Sequence, residues 1–138
     1  MENTQNLWEE IKQLIEIKII TSELQSTKRM PSVDQISEEY GVARKTAAKV
    51  LKSLCEEGII MNHGAKTGYY VKPYVATKLK SKHIDTIKDN AEKMIAHAKS
   101  INAGYEEFKP IYDMLNEYMD SLSSSKEVDS DEQENIQT

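Results

Sequence analysis

MPSVDQISEEYGVARKTAAKVLKSLCEEGII, residues 30–60, encodes two helices and the turn that joins them. Pro31 disfavours helix in the residue before it, so the chain enters this stretch extended. Ser32 has the side chain of a helix cap. Gln35 follows three residues later, the spacing of a reciprocal capping box. Ile36 and Tyr40 form the inner face of the helix that follows. Gly41 ends it, because glycine accepts the left-handed conformation that helix ends favour. After the turn Gly41-Val42-Ala43, a second helix runs roughly from 44 to 57. Ala47, Val50, Leu51 and Leu54 are its apolar stripe. Arg44, Lys45, Thr46, Lys49 and Lys52 are its outer face, and Gly58 stops it.

Upstream, residues 5–21 read as an amphipathic helix with Leu7, Ile11, Leu14, Ile15 and Lys18 on one stripe and Glu9, Glu10, Lys12 and Glu16 outside it. Downstream, Ile59-Ile60-Met61 and Tyr69-Tyr70-Val71 read as short strands around a glycine-bracketed loop, residues 62–68, which makes a hairpin that Pro73 ends. Residues 77–122 are helical, with apolar or small residues at an unbroken alternation of three and four: Ile84, Ile87, Ala91, Met94, Ala98, Ile101, Tyr105, Phe108, Tyr112, Leu115, Met119 and Leu122. This is the spacing of a coiled-coil seam. Asn102-Ala103-Gly104 is a stop signal and Pro110 forfeits a helical hydrogen bond, so the region is predicted as two helices, about 78–102 and 106–122, broken at Gly104. The segment from 123 has almost no apolar residue and is predicted to be disordered.

The predicted fold is therefore mainly α with a small β-hairpin: a winged helix-turn-helix head, residues 1–76, a helical dimerisation hairpin, 77–122, and a disordered acidic tail, 123–138. With 138 residues, the chain is short for such a head plus a large ligand-binding domain.

The net charge of −5 is unevenly placed. Residues 28–82 hold eleven basic against five acidic side chains, a net +6. Residues 123–138 hold five acidic against one basic, a net −4. A basic head with an acidic remainder suits a phosphate-rich partner. The single cysteine, Cys55, excludes an internal disulfide and a cysteine-based metal cluster, and it reads as a small buried hydrophobe. His63, His83 and His97 are too scattered for a zinc site. No apolar run reaches the length of a membrane span, and the polar start MENTQNLWEE is unlike a signal peptide, so a cytoplasmic location without membrane contact is expected. There is no nucleophile with a paired base and no phosphate-binding glycine loop, so no enzymatic activity and no cofactor are expected.

The chemistry points to double-stranded DNA. A helix bearing basic and hydroxyl groups fits the major groove, where each base pair shows a distinct pattern of donors and acceptors. The candidate DNA contacts are Ser32 at the preceding helix start, Arg44, Lys45, Thr46, Lys49 and Lys52 on the second helix, and His63, Gly64 and Lys66 in the wing. The candidate dimer contacts are Ile84, Ile87, Ala91, Met94, Ile101, Phe108, Tyr112, Leu115 and Met119, because a two-helix hairpin cannot bury its own seam.

The same residues resemble the GntR family of bacterial regulators. In outline its pattern is LPS-x-R-x-LA-x-x-x-GVSR-x-TV-x-x-AL-x-x-L-x-x-x-G. Met30, Pro31 and Ser32 match its opening, and Ile36 and Ser37 stand at its Leu-Ala. Gly41, Val42, Arg44 and Thr46 match the turn and the next helix start; Leu51, Leu54 and Gly58 match that helix's end. Gly68-Tyr69-Tyr70-Val71 matches the wing's closing strand. The short helical C-terminus is similar to the YtrA branch. The resemblance implies a homodimer on a near-palindromic operator, repressing a nearby operon, such as one for transport. An unknown small-molecule effector would have to use the dimer helices or their junction with the head. Three residues depart from the pattern: Asp34 stands where the family has arginine, Ala43 where it has serine or threonine, and Ala48 where arginine is frequent. The competing reading is a protein-interaction module with weak DNA affinity, since Asp34 repels phosphate.

Overall fold

The computed structural model describes residues 4–24, 29–64 and 66–137. In chain order it contains α1 (Thr4–Ile20), α2 (Val33–Tyr40), α3 (Arg44–Glu56), β1 (Ile60–Asn62), β2 (Tyr69–Val71), α4 (Val75–Ser100) and α5 (Tyr105–Gln137). The chain forms two compact units, Met1–Ile87 and Lys88–Thr138, with the division inside α4.

In the first unit α3 packs on both α2 and α1. Ala47, Val50, Leu51 and Leu54 are buried from α3, as their spacing predicts, and meet Ile36 of α2 and Ile11, Ile15 and Ile19 of α1. Full burial of each large aliphatic side chain contributes roughly 1.5–3 kcal/mol. The stripe of α1 differs from the sequence reading. Ile11, Ile15 and Ile19 carry it, with Trp8 packed alongside, while Leu14 is 48% exposed and Leu7 36%. Positions i, i+4 and i+8 suffice because α1 meets α3 along a narrow line.

Ser32 caps α2 as the sequence predicts. Its hydroxyl accepts the Gln35 amide at 3.2 Å, and its own amide donates to Gln35 Oε1 at 2.8 Å. Gly41 closes the helix in the left-handed region, φ 63 and ψ 40, where a side chain would be strained. At α3 the missing hydroxyl of Ala43 shows directly: the cap position makes no side-chain hydrogen bond.

The hairpin is antiparallel, with Ile60 opposite Val71, Met61 opposite Tyr70 and Asn62 opposite Tyr69. Ile60 and Val71 share the buried face. The first strand starts one residue later than predicted, because the Ile59 amide is used by Leu54 O in closing α3. A third segment, which the sequence does not announce, joins the hairpin. Arg29 bridges to Tyr70, and the Met30 amide donates to Tyr69 O at 2.7 Å.

The compact unit reaches Ile87, eleven residues past the boundary predicted at 76. The cause is the start of α4. Leu79 is buried in the head's core. Glu16, placed outside the stripe of α1 by sequence, is only 3% exposed. Its carboxylate accepts from Lys82 Nζ at 2.9 Å and lies 3.2 Å from His83 Nε2. Lys82 also reaches Glu57, which pairs with Lys12 at 2.6 Å. Burial opposes the charged form of Lys82, but Glu16 and then Glu57 outweigh it and raise its pKa above the usual lysine range. Burial likewise disfavours ionised Glu57, and Lys12 and Lys82 overcome it, holding that carboxyl below the usual range. These partners make burial of the Glu16 charge tolerable.

In the second unit, α4 stops in a Schellman arrangement: the Asn102 amide donates to Lys99 O and the Ala103 amide to Ala98 O. The left-handed residue is Asn102, φ 55, not Gly104. Gly104 instead directly precedes α5, and its amide donates to Glu107 Oε1 at 3.2 Å. Pro110 lies inside α5. The predicted end at 122 is passed: α5 is helical through Gln137, across the segment expected to be disordered. No glycine or proline follows Pro110 to stop a helix already propagating.

Candidate nucleic-acid interface

The first turn of α3, the first turn of α2 and the wing border one groove, lined by Arg29, Ser32, Asp34, Arg44, Asn62, Gly64, Gly68 and Tyr69. Two features of sequence bring them together. The short Gly41-Val42-Ala43 turn sets the start of α3 beside α2, and the Arg29–Tyr70 bridge draws the chain before Pro31 onto the wing.

Arg44, at the first position of α3, is exposed, and its Nε lies 2.7 Å from Asp34 Oδ1. The residue expected to repel phosphate therefore pairs with the residue expected to read bases. Lys45 and Lys52 are exposed, on the side of α3 opposite its buried stripe. Lys49 is exposed too, but its ammonium stands 4.7 Å from the centre of the Trp8 ring. That cation–π contact ties it toward α1. Thr46 is half-buried. The Ser32 hydroxyl is engaged in the capping box.

In the wing, the His63 amide donates to Gly68 O at 2.9 Å, and the Gly68 amide to Gly64 O at 2.8 Å. The His63 ring packs edge-on against Tyr70, with centroids 4.9 Å apart. Lys66 is exposed at the loop. The described residues hold no group of three or more potential metal ligands.

Arg29 and Asn62 are groove residues that sequence reasoning passed over. Arg29 was visible only as one of many basic residues, and its position depends on a bridge to a strand forty residues away. Its guanidinium lies against Gly68. A Cβ at that glycine would stand 3.0 Å from Arg29 Nε, at φ +85. Gly68→Ala is therefore expected to cost roughly 1–2 kcal/mol, from left-handed strain and displacement of Arg29. A thermal melt unchanged from wild type would contradict this.

The sequence-predicted seam is in the main uncovered. Ile84, Ile87, Ile101, Tyr112, Leu115 and Met119 are 48–65% exposed. Ala91 is exposed, and Met94 and Phe108 are half-buried.

A basic helix following a glycine turn, flanked by a hairpin, defines a winged helix-turn-helix head. Residues 7–70 match the family described as bacterial regulatory proteins, gntR family. Over this segment the chain is similar to that family. Among solved structures, the chain is similar to a transcriptional regulator from Oenococcus oeni: TM-score 0.64, 17% identity, covering 83% of this chain and 92% of that one. It is similar also to a GntR family transcriptional regulator from Listeria monocytogenes: TM-score 0.63, 18% identity, covering 83% and 98%. A transcriptional antiterminator from Listeria monocytogenes EGD-e shares the fold at TM-score 0.55 and 18% identity, over 79% and 81%. At these identities the likeness is one of fold. Comparison with curated proteins gives no match. Among the described residues, no helix is long and apolar enough to cross a membrane.

Proposed function

We propose that the protein is a cytoplasmic, sequence-specific repressor that binds a near-palindromic operator as a homodimer and controls an operon close to its own gene. One observation supports it above others: Arg44, Lys45 and Lys52 stand exposed at the start and outer face of α3, beside a wing that brings Lys66 and Arg29. Such a face can reach base edges with Arg44 while lysines neutralise phosphate. Dimerisation is supported by the seam. Most of the apolar side chains at the three–four alternation are left exposed on α4 and α5, and a second copy would cover them with the same residues. Two heads related by a twofold axis suit half-sites about one helical turn apart.

The test is fluorescence anisotropy with DNA from upstream of the protein's own coding region, at low and moderate salt, beside light-scattering mass measurement. Wild type is expected to be dimeric and to bind with a log–log salt slope of about −0.9 per neutralised phosphate. Leu115→Glu is expected to give monomers whose operator affinity falls at least about tenfold, because the second half-site contact is lost. A dimeric Leu115→Glu protein would reject the seam. Binding that competitor DNA abolishes in wild type would favour a protein-interaction module instead.

A further inference from the structure

We propose that Asp34 is a positioning residue: by holding Arg44, it sets which base pair the recognition helix accepts. This rests on the reading of α3 as the DNA-reading helix and goes beyond it.

Asp34 lies in the first turn of α2, and Arg44 opens α3. Their side chains are 72% and 74% exposed, so burial restrains neither. The ion pair is the restraint, with Arg44 Nε 2.7 Å from Asp34 Oδ1. An arginine presents five N–H groups in one rigid plane. The contact is an ion pair at Nε, and the two terminal nitrogens carry four further N–H donors. Those are the donors that pair with O6 and N7 of guanine. A free arginine at this place would swing to the nearest phosphate, which carries no sequence information. A carboxylate beside it does two things. It holds the guanidinium near α2 by charge, and it makes the local approach of phosphate unfavourable.

The two effects have opposite signs on the two kinds of binding. Asp34 lowers affinity for arbitrary DNA, because it removes positive charge from the face that meets the backbone. It raises discrimination at one base pair, because Arg44 reaches the groove already held in place beside α2. The residue where the family pattern has arginine thus acts through the neighbouring arginine rather than on DNA itself.

The experiment is selection from a randomised duplex library with wild type, Asp34→Ala, Asp34→Asn, Arg44→Ala and the double variant Asp34→Ala/Arg44→Ala. Affinities are then measured for the wild-type-selected duplex and for a scrambled duplex of the same composition. Wild type is expected to prefer guanine at a position where Arg44→Ala is indifferent. Asp34→Ala is expected to lose roughly fivefold or more of that preference, within the range a bidentate guanine contact supplies. It is also expected to bind the scrambled duplex several-fold more tightly at low salt. In the Arg44→Ala background, removing Asp34 should change no base preference. Asp34→Asn keeps the size of the side chain but removes the charge that holds Arg44, so it should lose the preference as alanine does and share the gain on scrambled DNA.

A purely structural role at the helix start would change the melting temperature without changing base preference. Asp34→Ala that keeps the full guanine preference, or tightens both duplexes equally, overturns the proposal. Should the alanine variant fail to fold, Asp34→Asn decides: no gain on scrambled DNA overturns it. A wild-type profile flat at every position overturns the DNA-reading assignment itself, and this proposal with it.

Discussion

Arg44→Ala is expected to weaken binding to the operator by roughly 5- to 150-fold, the equivalent of losing about 1–3 kcal/mol of base discrimination. Binding to unrelated DNA should fall far less. The asymmetry follows from position. Arg44 begins the helix beside the wing groove, while Lys45 and Lys52 stand exposed along the outer face. Replacing either lysine with alanine should weaken operator and unrelated DNA alike and flatten the salt slope by about one unit. Stability should hardly change in the arginine variant. Its partner is exposed Asp34, and an ion pair of that kind contributes about 0–1 kcal/mol. Paired titrations of operator and unrelated duplex, at two salt concentrations, decide the matter. An equal loss on both duplexes would make Arg44 a phosphate contact, and no loss would remove it from the interface.

The largest effect on stability is expected at Leu54. It is fully buried between helices and hairpin, with Ile15, Ile36, Leu51 and Ile60 of the same core also buried to within 1%. Leu54→Ala should destabilise the head by roughly 2–5 kcal/mol, the lost transfer energy plus the cavity left behind. Against a total of about 5–15 kcal/mol for an ordinary domain, that is a large share. Leu14→Ala is the informative contrast. Sequence periodicity groups Leu14 with the core, yet it is 48% exposed, and its replacement should stay within about 0.5 kcal/mol. Trp8, the single tryptophan, packs against this core, so its fluorescence during urea unfolding reports on both variants. Comparable losses at Leu54 and Leu14 would mean that α1 packs on a broader face than described.

The helix-turn-helix was readable because its signals are local. Ser32 and Gln35 satisfy each other within one turn, Gly41 supplies a left-handed closure, and Val50, Leu51 and Leu54 recur at helical spacing. Each depends on residues at most a few positions apart. The same holds for the three–four alternation of the seam, whose spacing is a property of the chain alone.

What lay beyond the sequence depends on partners distant along the chain. Glu16 reads as a solvated charge on the outside of α1; it is buried because Lys82 and His83, some sixty-six residues later, arrive beside it. Those contacts and Leu79 carry the head into α4, past the composition change near Pro73. Lys49 reads as one more free cation until the ring of Trp8 comes within 4.7 Å of it. Asp34 shows the difference most sharply. Sequence identifies it as a departure from the family pattern and a charge unfavourable to phosphate. Only the turn that sets α2 beside α3 places its carboxylate on Arg44, turning an isolated negative charge into half of an ion pair. Periodicity and capping by themselves determined α2, α3, the turn between them and the hairpin, since these satisfy most of their hydrogen bonds locally. Which charges are buried, paired or free was decided by tertiary structure, because electrostatic energy depends on distance through space and not along the chain.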